Sequence, residues 1–109
     1  MYEKLLGKIS SAQFGFVWDR PYLFGLSLFF DLSDGTSIGT GGDLLVNISD
    51  EARWSEEERN AGVTRCMDRI IKTMRDAKVN DVKDLVGKPV EVEINHNTYV
   101  SFRILTEVL

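Results

Sequence analysis

Cys66 and His96 are the sole cysteine and the sole histidine of the chain. As a thiolate–imidazolium pair they could perform nucleophilic chemistry, provided they met within hydrogen-bonding distance. Their surroundings speak against it. Cys66 falls on the apolar stripe of a helix, and His96 falls in a turn between two strands, so core packing and turn formation are the expected roles. A zinc site needs about four Cys, His or acidic ligands, and the spacing offers none. Glu91 and Glu93 share one face of a strand and could divide acid and base work if buried. They alternate with Val90, Val92 and Ile94, which puts them toward solvent. Glu56, Glu57 and Glu58 occupy a first helical turn, where the helix dipole favours anions. The expectation is no catalytic residue, no metal ligand, no cofactor and no enzyme.

Three glycines in "TSIGTGGDLL", residues 36–45, raise the question of a phosphate cradle. Such a loop should lie between a strand and a helix, with the helix N-terminus facing the anion. Here "LLVNI" follows, which reads as more strand, no Lys-Ser or Lys-Thr is present, and Asp43 would repel phosphate. The glycines read instead as strand positions that admit bulky neighbours.

Two further clusters invite a function. Arg65, Arg69, Lys72 and Arg75 form a basic stripe, with Asp68 and Asp76 between them. They either complement the helix C-terminus and pair at i,i+4 or meet phosphate or an acidic partner. The segment "FGFVWDRPYLF" places Phe14, Phe16, Trp18, Tyr22 and Phe24 around a proline-containing turn. Trp18, Arg20 and Tyr22 are residue types that dominate binding hot spots. A protein-binding or self-association surface, closure of the core, and a stacking site for a nucleotide all fit this cluster.

The elements that must carry these groups follow from periodicity. Lys4 to Phe16 reads as a first strand, broken by "VWDRPY". Phe24, Leu26, Leu28, Phe30 and Leu32 alternate onto one face of a second strand. Asp34-Gly35 signals a two-residue hairpin, which would pair Ser33 with Thr36, Phe30 with Gly39 and Leu28 with Gly41. A bulge at Gly41-Gly42 would return Leu44 and Val46 to the core. Bare backbone at 39 and 41 would then make room beneath a covering helix. Ser55 with Glu58 forms a capping box, and Val63, Cys66, Met67, Ile70, Ile71, Met74 and Ala77 make a helical stripe from about Glu56 to Lys78. That is roughly 34 Å of helix. Asn80 to Gly87 is a short turn closed by glycine. Val90 to Ile94 and Val100 to Val108 are two more strands. A three-residue loop, Asn95-His96-Asn97, would pair Val92 with Val100. The fold class is α+β: a mostly antiparallel five-stranded sheet, order βββ-α-ββ, with one long helix on one face.

Size and composition set the outer bounds. The 109 residues fit one domain, 1–109. With 43% hydrophobic and 28% charged residues, long disorder is not expected. A net charge of -4 argues against a general nucleic-acid binder. One cysteine permits no internal disulfide, which fits a reducing cytoplasm. Neither a signal peptide nor a membrane span is expected.

"WSEEER", "GKPVEV" and "RILTEVL", at Trp54–Arg59, Gly87–Val92 and Arg103–Leu109, together resemble a family of small uncharacterised proteins of tailed bacteriophages and prophages. The resemblance covers roughly the last 55 residues, and the "KISSAQFGF" start of the N-terminal half. It departs at the distal hairpin, where the family has Asp-Gly and this chain has Asn95-His96. It implies a phage setting and the bacterial host cytoplasm. The leading expectation is therefore a non-enzymatic phage or prophage protein that binds a host or phage protein, with defence evasion as the role this suggests, and self-associates as a dimer. A nucleotide-signal or small-ligand sequestering module, using Arg20 with Trp18, is the first rival. An accessory protein of phage DNA metabolism, using the basic stripe, is the second.

Overall fold

A computed structural model describes residues 2–49 and 55–109. Trp54 of the family resemblance lies outside the described residues. The chain forms one antiparallel sheet with one long helix on one face, an α+β fold. The strands are β1 (Tyr2–Val17), β2 (Arg20–Leu32), β3 (Ser37–Gly39), β4 (Leu45–Asn47), β5 (Pro89–Asn95) and β6 (Thr98–Ile104). The helix α1 runs from Glu56 to Ala77. Across the sheet the order is β3-β2-β1-β5-β6, and β4 continues along β2 beyond β3. The expected single third strand is thus two short ones, split by a 3-10 turn at Gly42–Leu44. That turn buries Leu44, as the expected bulge would have done, and leaves Val46 partly buried.

The core lies between α1 and one sheet face. Ile9, Leu26, Leu28, Phe30, Val90 and Val92 are almost fully buried there. The period-2 pattern of β2 is borne out, since Leu26, Leu28, Phe30 and Leu32 all point inward. Full burial of a side chain such as Phe30 is worth roughly 2–3 kcal/mol. The opposite face is mixed: it exposes Leu6 and Phe29 and carries Arg103, which bonds Glu91 at 3.1 Å and Glu107 at 3.0 Å. Glu91 and Glu93 are on this face, as expected, and Glu93 accepts from the Ser101 hydroxyl at 3.2 Å.

Both hairpin registers depart from the sequence expectation, each for a local reason. At the first, Phe29 lies opposite Gly39 and Phe30 opposite Ile38. The loop has three residues, Ser33-Asp34-Gly35, and only Gly35 adopts positive φ, at 87°. Asp34 accepts from the Thr36 amide at 3.0 Å and its hydroxyl at 2.6 Å, a side-chain turn that draws Thr36 inward. The one-residue shift changes the face that Gly39 serves. An added Cβ there would stand 2.9 Å from the ring of exposed Phe29, so the glycine makes room on the face away from α1. Gly41 lies against Tyr99. On the helix, Gly62 lies against Val46, from which an added Cβ would stand 3.4 Å, an ordinary contact distance.

At the second hairpin the loop has two residues, His96-Asn97, both at positive φ (51° and 62°), the twist that suits a tight hairpin. A bulge between Tyr99 and Ser101 then restores the facing, so that Val92 meets Phe102 rather than Val100. Val100 is the extra residue and is exposed.

The helix starts and stops where the sequence indicates. Ser55 Oγ accepts from the Glu58 amide at 3.1 Å, and Lys78 takes the left-handed conformation that ends it. Its buried line is Cys66, Ile70, Thr73 and Ala77. The expected stripe therefore divides, with Val63, Met67 and Ile71 exposed along one flank. Thr73 replaces them in the interior because its hydroxyl is satisfied by the Arg69 carbonyl at 2.8 Å.

The tightest backbone approach is at Gly25, which has φ 148° and sits against the 3-10 turn. A Cβ there would run into the Leu44 carbonyl. Gly25→Ala is expected to lower unfolding free energy by about 3 kcal/mol, through strain and overpacking. Gly42→Ala, with nothing within 4 Å of its added carbon, should stay within about 0.5 kcal/mol of wild type. Urea denaturation of the two variants measures the contrast.

Candidate functional site

Two surfaces combine reactive or exposed groups. The first is the hairpin of β1 and β2. β5 pairs with β1 only from Tyr2 to Lys8. Ile9 then spends its amide and carbonyl on Lys88 and Gly87, at 3.0 and 2.7 Å. Gly87, at φ 90°, turns the preceding chain away. Beyond this point β1 and β2 continue as an arm toward the turn at Trp18-Asp19, and a bulge between Ile9 and Ser11 resets the facing of β1.

Backbone direction along this arm follows from β2. Leu28 lies opposite Ala12 and directs its carbonyl to the Thr40 amide (2.9 Å) and its amide to Thr40 Oγ1 (3.1 Å), away from β1. Opposite residues of an antiparallel pair either face each other or both face away. Ala12, and at the same phase Phe14 and Phe16, therefore aim their N–H and C=O groups outward from β2. Among the described residues, nothing bonds these groups of Phe14 and Phe16. The side chains of Phe14 and Phe16 pack edge-on to Phe24, with centroids 5.2 and 5.0 Å apart, yet both remain about half exposed.

The turn residues singled out from the sequence sit at the tip of this arm. Trp18 is 90% exposed and Tyr22 44%, so core closure is not their role. Arg20 is exposed and lies 3.9 Å from Asp19, a separation worth little at the surface. Pro21 is tolerated because the pairing jumps from Phe16–Phe24 to Val17–Arg20, which leaves it opposite no β1 residue.

The second surface is a cavity of about 520 Å³ between the first half of α1 and the β4 region. Arg59, Gly62, Arg65 and Arg69 form its helical wall, with Asp43 and Val46 opposite. The basic stripe is thereby divided. Arg65 and Arg69 face this cavity, and Arg69 also borders a smaller groove with Lys72 and Asp76. Lys72 is committed to Asp76 at 2.6 Å, whereas Arg75 borders neither space. Arg59 bonds the Ile48 carbonyl at 3.1 Å. Sequence reasoning missed Arg59, although the spacing 59, 62, 66, 69 puts it on one helical face with the cavity. It also missed the Tyr99–Asp43 bond of 2.8 Å, which spans 56 residues and has no local signal.

Electrostatics in this region are dominated by burial. Tyr99 is pushed well above the usual phenol range, first by desolvation and then by the hydrogen bond to the Asp43 carboxylate. Asp43 Oδ2 accepts that bond, while its Oδ1 is buried with no partner among the described residues. Burial likewise raises the Cys66 thiol, which donates to the Leu44 carbonyl at 3.1 Å. A protonated thiol bonded to a carbonyl is a packing group, as the sequence suggested. His96 stands in the distal turn.

Comparison of the chain with protein-family models, curated proteins and solved structures finds no match. Among the described residues, no helix is long and apolar enough to cross a membrane, and no group of three or more His, Cys, Asp or Glu could hold a metal ion.

The Tyr99 phenol gives a pH test. Its folded pKa lies above the unfolded value of about 10, so the unfolded state releases the proton first and stability falls as pH rises past that value. Tyr99→Phe should flatten this alkaline loss. It should also cost about 1–3 kcal/mol at neutral pH, because Asp43 loses its donor. Thermal melts across the alkaline range check both outcomes.

Proposed function

We propose that the chain is a small non-enzymatic protein-binding module, in the phage or prophage setting that its C-terminal third suggests. It acts by adding a partner's strand to the open edge of its arm. The observation that carries this reading is the row of backbone groups at Phe14 and Phe16 that have no partner among the described residues. They lie beside two half-exposed phenylalanines and a fully presented Trp18. Natural sheet edges are guarded by charge, proline or a covering element. Residues 9–18 contain neither a charged residue nor a proline. Strand addition draws affinity from main-chain bonds and specificity from alternate side chains, and Trp18, Arg20 and Tyr22 at the tip add hot-spot contacts.

A second copy of the chain satisfies the same requirement. An antiparallel pair of β1 edges would bring no like charges together within the uncharged stretch. The three exposed aromatics Phe14, Phe16 and Trp18 offer about 400 Å² per copy. The exposed flank Val63, Met67 and Ile71 is further apolar surface on the same side of the sheet as Phe14 and Phe16. A standard interface takes about 800 Å² from each partner. Dimer formation is thus the homotypic form of the same activity. Binding of nucleic acid has less support, since the basic stripe is divided and the net charge is -4.

Light scattering should give a mass that rises with concentration toward twice the 12.3 kDa of one chain. Phe16→Lys, which places a charge on the edge at a half-exposed position, should hold it at one chain, and loss of the Phe16–Phe24 contact should cost only about 0.5–1.5 kcal/mol, so the chain stays folded. The same variant, and Trp18→Ala, should lose the partner captured from infected cells. A wild-type mass of one chain at every concentration, with capture unaffected by either variant, would overturn the reading.

A further inference from the structure

We infer that the cavity between α1 and β4 binds a small phosphorylated molecule that also carries hydroxyl or amide donors, such as a sugar phosphate or a nucleotide. This site is separate from the arm, and its occupancy does not depend on strand pairing. The inference rests on three features of one space. First, Arg65 and Arg69 both border it, one helical turn apart on α1. Neither makes an ion pair among the described residues. A guanidinium group matches phosphate oxygens in a two-pronged geometry. Second, Asp43 Oδ1 is a buried acceptor with no donor among the described residues, although its twin oxygen is held by Tyr99 at 2.8 Å. A buried lone pair left unserved is costly, and a turn of the Asp43 side chain toward the cavity it borders would let a ligand hydroxyl or amide serve it. Third, the space of about 520 Å³ lies within the range of small-molecule sites. Gly42 and Gly62 line it without a side chain.

The charges that face the cavity favour an anion. Among the described lining residues Arg59, Arg65 and Arg69 outnumber Asp43 and Glu58, and Arg59 is already engaged with the Ile48 carbonyl. Glu58 is drawn to the helix start, where its Oε1 accepts from the Ser55 hydroxyl at 3.3 Å. Asp43 then discriminates between anions. Inorganic phosphate meets the arginines alone, whereas a phosphorylated polyol reaches Asp43 as well.

Titration calorimetry on the full chain at low salt, with ribose 5-phosphate, AMP and inorganic phosphate as probes, tests this. At least one organic phosphate should bind, and at least tenfold more tightly than inorganic phosphate. Arg65→Gln and Arg69→Gln should each weaken it by tenfold or more. Both residues are exposed, so the variants should melt as wild type does. Arg75→Gln, which borders neither space, should bind normally. Three results would overturn the inference: no binding of any probe, wild-type affinity in both cavity variants, or inorganic phosphate binding as tightly as the organic probes. Loss of this binding in a protein that still dimerises would leave the arm's function standing, and the reverse also holds.

Discussion

The structure turns on a mismatch of strand lengths. β1 has 16 residues, whereas its neighbour β5 has 7. The shorter strand cannot continue, because Gly87 turns the chain toward the 3-10 turn at Val82–Leu85. The compact half of the sheet lies under α1 and holds the apolar core. The other half is built on the β1–β2 ribbon, and a ribbon of two strands alone is marginally stable without a third strand or a covering element. β3 and β4 supply a neighbour on the β2 side. The β1 side has none among the described residues from Phe14 onward. The arm's aromatic pairs and its contact with β4 hold it in place, but they do not satisfy its edge.

The helix has a related asymmetry. Its buried line is narrower than its apolar stripe, so Val63, Met67 and Ile71 stay exposed on one flank. The opposite flank carries Gly62, Arg65 and Arg69 and closes over the 3-10 turn. One helix therefore separates an apolar side from a cationic cavity. The division lets a single small domain offer two chemically distinct surfaces with no shared residue.

Much of the fold was legible in the sequence because its signals are local. The alternation in β2, the Ser55 cap and the Asn80–Gly87 turn depend on neighbours within a few residues, and they are found where expected. The two hairpin registers were not legible. In each, the type of loop trades one residue against a bulge or a side-chain turn. The Asp34 carboxylate and the His96-Asn97 backbone decide the matter by small energies that hydrophobic pattern does not encode. The steric idea attached to Gly39 failed for the same reason, since a shift of one residue moves a side chain to the other face. The exposure of Trp18 and Tyr22 was open in the sequence, because whether an aromatic turn is buried depends on how far the covering helix reaches. Of the basic stripe, the sequence located Arg65 and Arg69, but the cavity needs Asp43 and Arg59 as well. The link of Asp43 to Tyr99 exists only in three dimensions.

Amide hydrogen exchange along β1 tests most directly whether the arm presents an open edge. Gln13 and Gly15 bond inward to β2, and their amides should exchange slowly at every protein concentration. Phe14 and Phe16 point outward, so their amides should exchange fast in dilute protein and become protected as concentration rises or a partner is added. Equal protection of all four amides in dilute solution, unchanged on concentration, would contradict the account.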